Sequence, residues 1–402
     1  MSQYLFEGLK VLDVATVIAA PVAATMLADF GADVIKVEQP GDGDLLRALS
    51  YVPTTPDADT DFFWQTDGRN KRCISLNLKH PDGMGVLHKL IEQCDVFITN
   101  QPLPVRRSLK LNYEDIKPLR PDMIYASLTA YGEDGPDKDA KGFDLVAYWA
   151  RSGLMDLVRS PGAAPAQALP GLGDHPTGVA LYAAIVTALL HRERTGEGGM
   201  AHTSLLANGL WSAAAIASGA LAGGDVPGYQ ARVATPLFTQ RVYPTRDGRY
   251  LQFIMIRSDQ ELALLLGELE LLTLLDDERF ATIESRMAHR GAFTDAVAAV
   301  LLQRDSADWL SRFEALGISV NRVQTVDEAV RSEQLRINRM VVPPVDPQMP
   351  TPWILNHPVK VDGVPQVGPK RAPDPSEHTR EILQQLGYSE TQVAELIANG
   401  AC

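Results

Sequence analysis

Along the first third of the chain, short apolar runs alternate with stretches of helical period. "LKVLDVAT" reads as a buried strand, and "VIAAPVAATMLADFG" as a small-residue turn and a helix closed by Gly31. "ADVIKVEQ" is a second strand, which completes a β-α-β unit and predicts a parallel sheet covered by helices. The alternation continues with strand "KRCISLNL", helix "GMGVLHKLIEQC", strand "DVFITN" and strand "MIYASLTAYG". Two long apolar helices are expected near 178–195 and 203–221. The pattern then changes. "AGGDVPGYQARVATP" reads as a Gly/Pro-rich linker, and "RVYPTRDGRYLQFIMI" as a β-hairpin turning at Asp247-Gly248. Helical segments "DQELALLLGELEL" and "RGAFTDAVAAVLLQ" follow, and "VVPPVDPQMPTP" is a second connector. The tail reads as two short helices, with Ser389 and Gln392 as a capping box for the last.

The division this predicts is a large α/β domain with a Rossmann-like parallel sheet, its N-terminal part at 1–225. A smaller α+β domain spans 226–325, and 326–402 holds a linker and a tail. A chain of 402 residues exceeds one ordinary core, in keeping with two domains. The formal charge of −13 argues against a nucleic-acid or anionic-membrane surface. Cys73, Cys94 and Cys402 have neither metal nor redox spacing, which favours free thiols in a reducing compartment. "MSQYLFEG" lacks the basic start of a signal peptide, and "TVIAAPVAATML" is short and broken by Pro21. A cytoplasmic protein outside the membrane is the expectation.

Several chemistries lose their support. The first β-α turn reads "TVIAAP" where a dinucleotide site needs G-x-G-x-x-G, although Glu38 sits where an acidic ribose ligand would. Ala19 and Ala20 still let a ligand approach the backbone, with helix–sheet packing as the simpler reading. His175, His191 and His202 lack ligand spacing, so no metal is expected. Neither a G-x-S-x-G elbow nor a phosphate-binding G-x-x-x-x-G-K-[ST] is present. Carboxylates remain. The loop 129–153 carries Gly132, Gly135, Pro136 and Gly142, and sets Lys141 close to Asp144, either as a functional pair or as a solvated ion pair. In "PGLGDHPTG", Asp174 lies among glycines just before a helix. It is either a helix cap or a reactive group that the backbone must approach closely.

Six ordered segments together resemble the class III CoA-transferases, the formyl-CoA transferase and carnitine CoA-transferase group. They are "LKVLDVATVIAAPVAATMLADFGADVIKVEQPGDGDLLR", "NKRCISLNLKHPDG", "ASLTAYGEDGPDKDAKGFD", "GLGDHPTG", "ALLHRERTGEGG" and "VYPTRDGRYLQ". "GPDKDAKGFDLVAYWARSG" and "PGLGDH" are most similar to the 2-hydroxyacid and aryllactate enzymes of that family. The resemblance implies that the tail completes the large domain, and that two ring-like subunits interlock as a homodimer. It implies acyl-CoA and a free carboxylic acid as substrates, with no permanently bound cofactor. Asp174 falls on the family's nucleophile, and Asp144 on a supporting position. The implied CoA site comprises Thr16, Val17, Ile18 and Ala19, then Gln39 and Arg47, then Leu76, Asn77 and Lys79, then Asn100 and Lys141.

There are departures from the family pattern. Gln39 and Gln101 stand where the family often has Arg and an aromatic, so Arg47, Arg106 or Arg107 are offered as phosphate contacts. "IRSDQEL" replaces the glycine-rich lid of the formyl-CoA enzymes, which disfavours formate and oxalate. The expected acceptor is a small 2-hydroxy acid, or a dicarboxylate with succinyl-CoA as donor and Arg151 or Arg232 as the second anchor. The family's 2-methylacyl-CoA racemases place a basic His where Phe143 stands here, which favours transfer over racemisation. A non-catalytic CoA-binding subunit is the remaining alternative, and the retained Asp174 argues against it.

Overall fold

A computed structural model describes residues 3–160 and 162–402. By compactness the chain forms two units, one of 1–158, 165–215 and 333–402, the other of 159–164 and 216–332. The helix Ala214–Leu221 straddles the break at 215/216, so the composition change at 225/226 falls just beyond that helix.

The larger unit is built on six parallel strands: β1 (Lys10–Asp13), β2 (Asp33–Glu38), β3 (Arg72–Ser75), β4 (Val96–Thr99), β5 (Ile124–Thr129) and β6 (Gly199–Ser204). Their order is β3-β2-β1-β4-β5-β6. In register, Val11 faces Val34 on one side and Val96 on the other, and Val96 faces Ile124. Central strands covered on both faces must be apolar throughout, and β4 and β5 are buried at every position. Alternate residues feed opposite faces. Val11, Val34, Val96 and Ile98 pack with the helix Ala19–Asp29, and with Leu181 and Ile185 of the helix Asp174–Thr195. Leu12, Val37, Ile74 and Phe97 pack with the helix Pro81–Ile91, and with Ile382, Leu383, Val393 and Leu396 of the tail. The tail thus covers one face of the sheet.

Helix Ala19–Asp29 is buried along its whole length, which its alanines permit. A Cβ on Gly178 would lie 2.6 Å from Ala19 O, so only glycine lets helix Asp174–Thr195 approach this closely.

The smaller unit holds an antiparallel sheet of β7 (Val242–Pro244), β8 (Tyr250–Phe253) and β9 (Val320–Arg322), in the order β7-β8-β9. The expected hairpin is present, with Gly248 at φ +72° and its amide donating to Thr245 O at 3.0 Å. An apolar centre containing Tyr243, Phe253, Phe280, Phe293, Trp309 and Phe313 packs the sheet on its helices.

Several local expectations are corrected. The segment after the first long helix forms β6, and the second long helix is two, Leu205–Ser212 and Ala214–Leu221. The first long helix starts at Asp174, not at 178. The linker contains a helix, Val226–Val233, because the Asp225 carboxylate accepts from the Gly228 amide at 2.9 Å and Pro227 suits a first turn. The connector opens with Val341–Val342, which pairs antiparallel with Ile354–Leu355. The capping box at Ser389 and Gln392 is present.

Candidate active site

In this strand order the chain reverses its winding between β1 and β4. The segments after those two strands diverge there and open a crevice at the sheet's C-terminal edge, where ligands of open α/β sheets bind. A cavity of about 220 Å³ lies at that point, lined among others by Thr16, Val17, Ile18 and Ala19 after β1, Asn100 after β4, and Lys141, Phe143 and Asp174.

Asn100 clamps the β1 turn. Its Oδ1 accepts from the Thr16 amide at 2.8 Å, and its Nδ2 donates to Thr16 O at 2.7 Å. Val17 holds φ at +64°, a left-handed conformation that a β-branched side chain resists. Its amide donates to the Asp44 carboxylate at 3.0 Å.

Asp174 is the first residue of its helix, with Gly173 as the N-cap. The cap reading is therefore corrected. Among the described residues no hydrogen bond to its carboxylate is found, and the group is half-buried. Gly173 is required here, since a Cβ would lie 2.5 Å from the Tyr148 ring. Asp144 is 5% exposed, and its Oδ1 accepts from the Leu145 amide at 2.7 Å. Its Oδ2 accepts from the Gly173 amide at 3.3 Å, which brings a second carboxylate beside Asp174. Burial, and then Asp144, push the Asp174 carboxyl up to about 7. With both Asp144 oxygens held by amides, the suggested Lys141–Asp144 ion pair does not form. Lys141 is exposed and lines the cavity.

His175 was not singled out for this role from the sequence. Its Nε2 lies 3.3 Å from Asp67 Oδ1, and its Nδ1 lies 3.1 Å from Gly171 O. Burial alone would depress this imidazole, but Asp67 and the Gly171 carbonyl outweigh it and raise it to about 9. A cation thus stands next to Asp174 and draws its pKa down, partly offsetting burial.

The structure disperses the other expected residues. Leu76 is buried in the core. The Asn77 amide donates to Ala401 O at 2.9 Å, and Lys79 is exposed. Gln39 is exposed at the end of β2. These four follow β2 and β3 along the sheet edge and do not line the cavity.

The arginines are engaged elsewhere. Arg47 donates to Glu38 through Nε at 2.9 Å and Nη2 at 2.7 Å, and lies 3.8 Å over the Trp64 ring. Glu38 also accepts from the Asp44 amide at 2.8 Å, so it is bound within the protein and not placed as a ribose ligand. Arg106 is buried against Tyr125 and Glu133. Arg107 pairs with Asp139 at 2.8 Å, and Arg151 with Asp137 at 2.7 Å. Arg232 is an exposed residue of the smaller unit. Among the described residues no cluster of three or more His, Cys, Asp or Glu side chains suits a metal ion, and no helix is long and apolar enough to cross a membrane.

Fold and site together define an α/β protein with a carboxylate at the switch point of its sheet. The profile described as CoA-transferase family III matches residues 6–379. The chain belongs to that family. It is 31% identical to the (R)-2-hydroxy-4-methylpentanoate CoA-transferase of Clostridioides difficile, over 97% of each chain. It is also 31% identical to the succinyl-CoA:glutarate CoA-transferase of Mus musculus, over 98% of this chain and 89% of that one. A crystal structure of a CaiB/BaiF family protein from Brucella suis superposes with a TM-score of 0.84 at 28% identity, covering 96% of this chain and all of that one.

Proposed function

We propose that this protein moves CoA from an acyl-CoA thioester to a free carboxylic acid, with Asp174 as nucleophile. The observation that carries the reading is the Asp174 carboxylate itself: half-buried, without a hydrogen-bond partner among the described residues, and lining the switch-point cavity. In the first step a carboxylate oxygen of Asp174 attacks the thioester carbonyl. The C–S bond breaks, CoA leaves as thiolate, and an acyl-aspartyl anhydride remains. The thiolate then attacks the aspartyl carbonyl and expels the acyl group as a free carboxylate, leaving an aspartyl-CoA thioester. The acceptor carboxylate runs the two steps in reverse. Asp144 holds the Gly173 amide and so sets the entry of the helix that presents Asp174.

Thr16, Val17, Ile18, Ala19, Asn100 and Lys141 form the CoA-facing wall in this reading. Leu76, Asn77, Lys79, Gln39 and Arg47 lie outside the lining of the cavity, so in this reading any part they take is with the portion of CoA beyond it. The acceptor is a small 2-hydroxy acid or a dicarboxylate, the two kinds of acid named for the relatives at 31% identity. Arg106, Arg107 and Arg151 are each paired with carboxylates, and among the described residues Lys141 is the cationic side chain lining the cavity. The large domain of 1–225 with 326–402, the small domain of 226–325, an interlocked homodimer and a cytoplasmic location complete the proposal. Exposed Trp211 and Leu221 are in keeping with a partner subunit.

The test is incubation with an acyl-CoA and a panel of free acids, read by mass spectrometry of the new thioesters. Hydroxylamine added during turnover should convert Asp174 to its hydroxamate. Hydrolysis with no new thioester would overturn the reading. Phe143 is 64% exposed and lines the cavity, where it offers no base. A 2-methylacyl-CoA in deuterium oxide should therefore keep its α-proton and its optical purity, and rapid uptake of deuterium would reveal a racemase.

A further inference from the structure

Behind the cavity wall lies a buried group of charges that the reaction does not use. Lys36 on β2 is fully buried and lies 2.8 Å from Asp44 Oδ2 and 3.9 Å from Asp13 Oδ1. Its ammonium also donates to Ala15 O. Lys71 donates to Asp13 Oδ2 at 2.9 Å and to Pro21 O at 2.9 Å. Asp44 in turn accepts from the Val17 amide at 3.0 Å and from the Leu46 amide at 3.0 Å. One ion pair therefore grips the β1 turn on both sides of Thr16, at the carbonyl of Ala15 and at the N–H of Val17.

A cluster of charges in a core is costly unless every member is paired, and packed apolar residues would serve stability as well. Left-handed conformations at bulky residues persist only where the surroundings over-determine them, and they gather at binding sites. Here the strained residue lines the cavity, and the group restraining it is charged, buried and remote in sequence. We infer that Asp44, braced by Lys36, is a positioning residue that holds Val17 in its left-handed conformation and so preforms the CoA-facing turn. This rests on the reading of the turn as a CoA contact. Asp44 touches no substrate, and its effect is transmitted through the Val17 peptide.

The experiment is a double-mutant cycle on the full chain with Asp44→Ala, Val17→Gly and the double variant, alongside Asp44→Asn. Glycine adopts the conformation without the side-chain penalty, so it no longer needs the hold. In Asp44→Ala, the Kd for CoA and the KM for acyl-CoA should rise about tenfold, the factor expected from releasing one strained residue, with kcat within about threefold. Asp44→Asn keeps an acceptor for the amide and should lie between wild type and Asp44→Ala. Adding Val17→Gly to Asp44→Ala should recover at least about threefold of the lost affinity. Unchanged affinity in Asp44→Ala, or purely additive effects in the double variant, overturns the inference.

Thermal unfolding without ligand separates this from failure of the CoA reading. Val17→Gly should be more favourable to Tm in the Asp44→Ala background than in wild type. If wild type binds no CoA, the CoA reading falls, and this coupling alone decides whether Asp44 holds Val17. If Asp44→Ala does not fold, the same cycle run with Asp44→Asn decides it.

Discussion

Two carboxylates bear on the same cavity and are treated in opposite ways. Asp44 is bonded at both oxygens, by Lys36 and by the amides of Val17 and Leu46, which hold its pKa below the usual range against the pull of burial. Asp174 accepts no hydrogen bond among the described residues, and its carboxyl is pushed up to about 7 by burial and by Asp144. A saturated carboxylate is fixed and unreactive, so it suits a scaffold. A carboxylate with free lone pairs, poorly solvated, is the better nucleophile. On the proposed function, the same residue type divides into frame and reagent according to its partners.

The largest expected effect breaks the second half of this comparison. Asp174→Asn and Asp174→Ala should fold and bind CoA but lose at least about a thousandfold in transfer rate, as removal of a covalent nucleophile does. Near-normal turnover in either variant would return the residue to a structural role. With Asp174 as the proposed nucleophile only its ionised form would attack, so kcat/KM in wild type should climb with pH and level off above about 7.

Asp144→Ala comes next. It frees the Gly173 amide and removes the charge beside Asp174, so turnover should fall by about tenfold to a hundredfold without vanishing. An inactive Asp144 variant beside an active Asp174 variant would exchange their roles.

The contrast between frame and reagent was only half legible in the sequence. Strands β1 to β5 stood out as short, mostly apolar runs, most clearly the central β4 and β5, which are buried at every position. The segment "GMAHTS" of β6 did not, since only two of its positions, Ala201 and Ser204, are buried. The helix Val226–Val233 was hidden by Pro227 and Gly228, which mark a linker as readily as a capped first turn. At the site, the family resemblance pointed to Asp174, yet Asp144, which bonds the Gly173 amide, comes from 29 positions away, and the cavity wall is pinned by partners likewise distant in sequence. Asn100 reaches Thr16 across 84 positions, and Asp44 reaches Val17 across 27. No local pattern records such pairings. The reading of Arg106 met the same difficulty, since its carboxylate partner Glu133 lies 27 positions on, while Arg47 is taken by the buried Glu38 at the end of β2.

A subtler effect concerns His175. Its imidazolium, held by Asp67, lowers the pKa of Asp174 against the upward push of burial. His175→Gln removes that positive charge. The pH at which kcat/KM levels off should move upward, while activity well above it changes less. A limb that stays in place, or moves to lower pH, would mean that His175 does not act on Asp174.

The smallest effect is on stability, and it tests whether the reactive carboxylate is maintained at the expense of the fold. Asp174 has its folded pKa raised to about 7 from an ordinary value of 3.8. Between those values the folded chain binds more protons at this position than the unfolded chain, so its contribution to stability falls as pH rises through that window. Above about 7 the penalty is complete. Asparagine is nearly isosteric with the protonated acid and carries no charge, so Asp174→Asn should match wild type near pH 4 and exceed it at pH 8. Loss of the anion beside His175 trims the gain, since that imidazole is raised to about 9 in part by Asp174. For a chain of this length a difference in Tm of about 1–2 °C at pH 8 is expected, vanishing at low pH. The measurement is paired thermal unfolding of the two proteins across that range. A gap that is constant with pH, or that widens toward acid, would show that the Asp174 charge carries no cost in the folded protein. The division between frame and reagent would then need another physical basis.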